Sequence, residues 1–186
     1  MANFHIEKRL GSAPDILRNY NWEIHIPVLP AGITAIATDE DLILRARSVN
    51  LPGRTQTPIE SYFRGMKQKF AGRADFTGVC SIQFEEMEDQ IVYQTMYQWQ
   101  NLMLDIDPSS PTGGIAKVSK KREVAKDLII KMFTFDGKLA PVQVRLINAY
   151  PESIDEQNLD MTGNDSLKIN VNFSMDFFLL EKSPAI

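Results

Sequence analysis

Apolar and polar residues alternate along several stretches of this chain, and one stretch instead repeats at helical spacing. In Tyr20–Leu29, Trp22, Ile24, Ile26 and Val28 fall on one side and Asn21, Glu23 and His25 on the other, which predicts a strand. Pro27 and Pro30 mark it as an edge strand or a strand end. A second strand is predicted over Leu42–Val49, closed by the turn-forming Asn50-Leu51-Pro52-Gly53. Thr57–Phe63 and Met66–Ala71 read as extended around Gly65, with a loop at Ala71–Asp75. Thr77–Phe84 then alternates Cys80, Ile82 and Phe84 against Val79, Ser81 and Gln83. Residues 57–84 therefore read as a long, partly exposed hairpin, with too much charge on both faces to lie wholly inside a core.

Met87–Leu104 carries the helical period. Met87, Ile91, Thr95, Trp99 and Leu102 form a stripe that Val92, Met96 and Met103 widen. Glu85, Glu86, Glu88 and Asp89 cluster at its start, where carboxylates favour the positive end of the helix dipole. Asp107–Lys121, rich in Pro, Ser and Gly, reads as a long loop, with loop character over 105–122 as a whole. Strands resume at Glu123–Phe135 and Val142–Asn148, separated by the turn signal Asp136-Gly137. Tyr150-Pro151-Glu152-Ser153 opens another loop. Leu167, Ile169, Val171, Phe173, Met175, Phe177 and Leu179 alternate strictly with Lys168, Asn170, Asn172, Ser174 and Asp176, predicting one long strand with a buried and a polar face. The expected fold is mainly β (α+β): an antiparallel β-sandwich or barrel in a single domain over 1–186, with an N-terminal arm at 1–18, one packed helix and long excursions.

Composition narrows the classes without naming one. With 186 residues, 44% of them hydrophobic and 24% charged, the chain can bury a substantial core. It contains no apolar run long enough to span a membrane and no secretory signal pattern at Met1–His5. The lone Cys80 excludes an intrachain disulfide and fits a reducing cytoplasm. A formal charge of −4 argues against a broad nucleic-acid grip.

Candidate chemistry is sparse. His5 and His25 are the only histidines, so neither a metal set nor a nucleophile–base pair is legible, and no Gly-x-Ser-x-Gly elbow is present. His25 reads as a solvated or hydrogen-bonded structural residue. The acidic group at 85–89 is explained by the helix start rather than by acid–base work. Gly113–Ser119 lacks the Gly-Lys-[Ser/Thr] ending of a phosphate loop. Asn164-Asp165-Ser166 and Asn172-Phe173-Ser174 match a glycosylation pattern that has no meaning without secretion. Two basic groups stand out, Arg64, Lys67, Lys69 and Arg73, and Lys120, Lys121 and Arg122. Each reads first as a solvated, pairing-deterrent surface, then as a site of electrostatic docking to a protein, and last as a nucleic-acid contact.

Four stretches resemble the tail tube protein family of contractile-tailed bacteriophages. Asn21-Trp22-Glu23-Ile24-His25-Ile26 is similar to its opening strand, and Ala46–Gly53 to a strand ending in a Leu-Pro turn. Phe70–Thr77 followed by Ser81–Glu86 resembles the hairpin that leads into the helix. Asn148-Ala149-Tyr150-Pro151-Glu152-Ser153-Ile154, continuing from Asp165 to Leu179, resembles the aromatic-Pro loop and final strand. The resemblance implies a non-enzymatic virion protein without cofactor or metal, made in the host cytoplasm. Homo-hexameric rings would stack into a tube whose bore passes DNA without specific binding. Its partners would be the tail sheath, a tape-measure protein, and baseplate and tail terminator proteins, with no membrane. In that setting the polar faces of Lys168, Asn170, Asn172, Ser174 and Asp176 and of Val142–Asn148 are expected to line the bore. The 57–76 hairpin and 107–122 loop, with Arg64, Lys67, Lys69, Arg73, Lys120, Lys121 and Arg122, are expected to join neighbours. The alternatives are a baseplate tube initiator or adaptor of the same fold, and a β-sandwich binding a small ligand or carbohydrate.

Overall fold

The computed structural model describes residues 17–34, 37–105, 117–157, 159–160, 162 and 165–183. The fold is mainly antiparallel β, as the alternation predicts. β1 (Trp22–His25) is followed by α1 (Asp39–Arg45) and β2 (Ala46–Val49). An excursion then runs through β3 (Arg54–Gln56), β4 (Ile59–Phe63), β5 (Met66–Phe70) and β6 (Ala74–Phe76). β7 (Val79–Glu85), α2 (Ile91–Met103), β8 (Leu104–Asp105), β9 (Lys117–Val118), α3 (Lys121–Val124) and β10 (Lys126–Met132) come next. β11 (Val142–Ile154), β12 (Lys168–Ser174) and β13 (Phe177–Lys182) complete the chain. The central part of the predicted loop, 106–116, lies outside the described residues, as does the N-terminal arm up to residue 16.

Two sheets share one long strand. The first has β1, β10, the N-terminal half of β11, and β13; the second has the C-terminal half of β11, then β12, β7 and β2. Their inner faces meet in one core. Ile24, Leu128, Ile130 and Leu146 come from the first sheet and Ile82, Phe84, Ile169, Val171 and Phe173 from the second. α2 contributes Val92, Met96 and Trp99 to it. Trp99 meets Phe173 edge to face at 5.9 Å and donates its indole N–H to the Val124 carbonyl at 3.0 Å. That bond satisfies the only polar atom of a fully buried ring.

Besides Glu123 and Val124, which end α3 instead of opening a strand, four segments depart from the sequence expectation, each for a local reason. Leu42–Arg45 is helical rather than extended because Thr38 caps Asp39-Glu40-Asp41: the Thr38 hydroxyl and the Asp41 carboxylate bond reciprocally in a capping box. Asp39 also anchors the end of β1, accepting the Ile26 N–H at 2.6 Å and meeting His25 Nδ1 at 2.9 Å. Tyr150–Ser153 belongs to β11 rather than to a loop. Pro151 is buried opposite Phe173, where a bulge between Pro151 and Ser153 spares the missing N–H. The long final strand breaks at Asp176. Met175 is still buried, but beyond it Phe178 packs on the core while Phe177 and Leu179 face outward, 37% and 42% exposed. Finally, α2 begins at Ile91, since Gln90 has a left-handed backbone at φ 49°.

The acidic residues ahead of α2 cap it from outside. Glu86 Oε2 accepts the Tyr93 N–H at 2.7 Å, and Oε1 lies 3.4 Å from the Val92 N–H. Glu86 is buried, and buried Arg45 neutralises it at 3.2 Å while gripping Asp89 through both terminal nitrogens at 2.6 and 2.5 Å. The guanidinium hydrogen bonds hold the Asp89 carboxyl down at about 2. Replacing Arg45 by Ala leaves Glu86 as an unpaired buried charge, for an expected loss of about 3–5 kcal/mol in urea unfolding. Wild-type stability measured against pH tests the Asp89 contact separately. A carboxyl depressed by folding stabilises fully above its unfolded value near ~4. Its contribution is therefore expected to persist at neutral pH and to fade as pH falls towards 2, and Asp89→Asn is expected to flatten that part of the profile.

Candidate assembly surfaces

The excursion between β2 and β7 is an arm of two stacked tiers. β3 pairs with β6 at the root, and β4 pairs with β5 above it. The two-residue turn at the tip uses Arg64 at φ 48° and Gly65 at φ 79°, the double positive-φ geometry that suits a twisted hairpin. That turn pairs Phe63 with Met66, and the ladder then pairs Ser61 with Gln68 and Ile59 with Phe70. These six side chains therefore share one face, and Glu60, Tyr62, Lys67 and Lys69 share the other. The expectation of charge on both faces is thus corrected. One face is apolar and open, with Ile59, Phe63, Met66 and Phe70 between 54% and 65% exposed.

Two contacts fix how the arm leaves the body. At its root, Phe76 meets Phe178 of β13 edge to face at 5.6 Å. Between the tiers, a Cβ at Gly72 would lie 2.1 Å from the Thr57 carbonyl oxygen, so the strands approach as only glycine allows. The Thr57 N–H donates to the Arg73 carbonyl at 2.9 Å across this pinch.

The basic residues singled out in the sequence do not form one cationic patch. Lys67 pairs with Glu60 at 2.6 Å, Lys69 lies 3.9 Å from the same carboxylate, and Arg73 pairs with Asp75 at 2.9 Å. Arg64 lies over the Phe63 ring at 5.4 Å. Lys120 and Arg122 are exposed at the start of α3, whereas Lys121 bonds Asp176 and lies over the Tyr150 ring at 5.5 Å.

The second sheet presents a polar outer face. Lys168, Asn170, Asn172 and Ser174 of β12 lie opposite Glu85, Gln83, Ser81 and Val79 of β7. Several of these groups are engaged by neighbours. Gln83 donates to Asn170 at 2.9 Å, Asn172 donates to Ser153 and to Asp155 at 2.9 Å each, and Arg47 pairs with Glu85. Hydrogen bonds from Ser166 and then from Arg47 lower the Glu85 pKa. Asp176 is not on this face: it sits at the bend after β12, bonded to Lys121 and accepting from Asn148 Nδ2 at 2.8 Å. The polar residues of Val142–Asn148 lie on the first sheet instead. There Arg145 bonds Asp127 at 2.7 Å and Glu181 at 3.4 Å, beside the outward Phe177 and Leu179.

Cys80 is buried in the core, where desolvation pushes its thiol up to about 12. Among the described residues no group of His, Cys, Asp and Glu is arranged to hold a metal ion, and no helix is long and apolar enough to cross a membrane.

The arm presents an exposed apolar face, and the second sheet a polar face partly hydrogen-bonded within itself. The sequence profile of the phage tail tube protein family matches residues 17–181. The chain belongs to that family. No curated protein sequence matches it. Solved structures similar to this tube-family fold include a chain of the anti-feeding prophage cap, described as a tube-terminating cap, with TM-score 0.64 and 16% identity over 92% of this chain and 95% of that one. The PVC sheath/tube terminator of an extracellular contractile injection system gives 0.63 and 16%, over 91% and 99%. The PVC sheath–tube complex gives 0.60 and 15%, over 95% and 97%.

Gly72→Ala is expected to spread the arm at its pinch while leaving the core intact. Far from the core cluster, it should leave the urea midpoint of the body unchanged and make tryptic cleavage at Arg73 several-fold faster. An unchanged cleavage rate would show that the pinch does not set the arm's structure.

Proposed function

We propose that this protein is the repeating subunit of a tail tube: a non-enzymatic structural component of the virion tail that forms stacked hexameric rings whose bore conducts DNA. The exposed apolar face of the arm carries this reading. Four large apolar side chains held open to water on a two-stranded hairpin are both a solubility liability and marginally stable alone. Contact with a neighbouring copy removes both problems. Ring closure and stacking each require a heterologous contact, with different surfaces of the chain meeting.

In this reading the second sheet forms the bore wall through Lys168, Asn170, Asn172 and Ser174, with Asp176 at its margin. Its amide groups bond laterally, Arg47 pairs with Glu85 and Lys168 faces the same carboxylate, so a passing polyanion meets no cluster of cations. Arg64, Lys120 and Arg122 are exposed cations offered to neighbours. Lys67, Lys69, Arg73 and Lys121 contribute to the same contacts from within their own ion pairs. A sheath would enclose the outside, a tape-measure protein would occupy the bore during assembly in the host cytoplasm, and baseplate and terminator proteins would cap the ends.

The second reading is a terminating ring of the same fold, favoured by the cap and terminator assemblies among the structural relatives. Negative-stain microscopy with sedimentation separates the two. A tube subunit is expected to give six-fold rings that lengthen with concentration, and deletion of residues 59–70 is expected to abolish lengthening while the body stays folded. Discrete rings that never lengthen would establish the terminator reading, and monomers at every concentration would overturn both.

A further inference from the structure

The sandwich is open along one seam. The first sheet ends on β1 and the second on β2, and these edges are not paired with each other. Leu17, Trp22, Val49, Leu51, Ile130 and Met132, together with Arg18 and Asn19, line a largely apolar cleft of about 320 Å³ at this seam. Leu51 is 49% exposed at its mouth.

We propose that this cleft is the receptor for the arm tip, Phe63 and Met66, of a second copy of the chain. The inference rests on the tube reading and supplies the contact that reading needs. The first support is chemical. Phe63 and Met66 are 59% and 65% exposed, so they contact little in their own chain, and the cleft is apolar and large enough for an aromatic side chain. The second support is geometric. Val49 and Leu51 lie at the root of the arm, just before β3, while Phe63 and Met66 lie at its far end. Extended chain from Arg54 to Phe63 covers up to about 30 Å. A tip-to-root contact therefore joins two different patches about one arm length apart, which is the heterologous relation that propagates head to tail instead of closing on a pair.

Size also favours a second copy over an unrelated partner. Seating the tip with Ile59 and Phe70 alongside would bury several hundred Å², since each aromatic contributes roughly 150–250 Å². That is below the ~800 Å² per partner of a stable binary complex. A contact so small holds only where ring geometry presents it many times at once.

Cross-linking tests the contact directly. Leu51→Cys and Met66→Cys are made separately and together, with native Cys80 buried and silent as the background. On mild oxidation each single variant is expected to stay uncross-linked. Their equimolar mixture should give a covalent dimer, and the double variant a ladder of covalent multimers. If the double variant assembles as the wild type does but yields no ladder, the cleft is not the receptor and the tube reading stands. A disulfide closed within one chain between the two introduced thiols would overturn the proposal equally. If the wild type itself remains monomeric, the tube reading falls and takes the inference with it. Should Leu51→Cys lower the thermal midpoint, Val49→Cys with Phe63→Cys is read by the same outcomes.

Discussion

The architecture turns on one corner, where Asn148 and Asp176 meet. Two strands change sheets there. β11 passes from the first sheet to the second just beyond Asn148, whose backbone is left-handed at φ 53°. The chain leaving β12 crosses back at Asp176, whose N–H donates to the Ile147 carbonyl at 3.1 Å. Asn148 donates to the Asp176 carboxylate, Lys121 bonds its other oxygen, and these two hydrogen bonds, Lys121 first, lower the Asp176 pKa. Because both crossings share one corner, the sandwich is closed on that side and open on the other. The seam between β1 and β2 exists because the chain's crossings are spent here. The same crossing brings Phe178 of β13 onto Phe76, so the corner also fixes the root of the arm.

The body and the arm are stabilised by different means. The body buries Trp99, Phe84 and Phe173 completely and ties its helix down through Arg45 and Glu86. That buried pair adds less net stability than its geometry suggests, since both ions lose their water. What it secures is position, because α2 cannot shift without exposing an unpaired charge. The arm has no such core. It is held by its ladder, by the Gly72 pinch and by one aromatic contact, and its apolar face is left over after the body has folded.

How much of this was legible in the sequence depends on the range of each signal. Strands whose partners stay on one side were readable: Cys80, Ile82 and Phe84 of β7 and Leu128 and Ile130 of β10 are buried as their alternation predicts. The buried stripe of α2 was readable because its period is local. The sheet switch was not, because strict alternation through Leu179 looks the same whether or not the strand bends, and only a partner such as Ile147 reveals the bend. Leu42–Arg45 was misread for another reason, since a short alternating run competes with a capping box and the box wins. The arm's apolar face was hidden by register. Ile59 and Phe70 become neighbours only when the turn is placed at Arg64-Gly65, and that dipeptide was the available signal. The basic residues were visible as a group, but Glu60, Asp75 and Asp176 determine which of them are engaged, and the sequence does not show who faces whom.

The distribution of charge gives the last constraint. The chain carries −4 overall, yet the polar face of the second sheet balances Glu85 with Arg47 and sets Lys168 directly opposite Glu85. Acidic residues are spread over several surfaces: Asp39, Glu40 and Asp41 in the first turn of α1, Glu88 and Asp89 before α2, and Glu152, Asp155, Glu156, Asp160 and Asp165 ahead of β12, where Asp155 accepts from Asn172. Charge on that sheet has a physical consequence in the proposed stacked assembly. A strongly charged wall repeated around a ring would repel itself across a narrow lumen, and the cost would rise as salt is lowered. The Gln83–Asn170 bond and the bonds from Asn172 to Ser153 and Asp155 would keep the proposed wall polar while its groups are engaged along the sheet. In the proposed tube, self-compatibility across the ring and indifference to whatever passes through it would then be met by one feature, polar side chains that bond within their own sheet before anything else arrives.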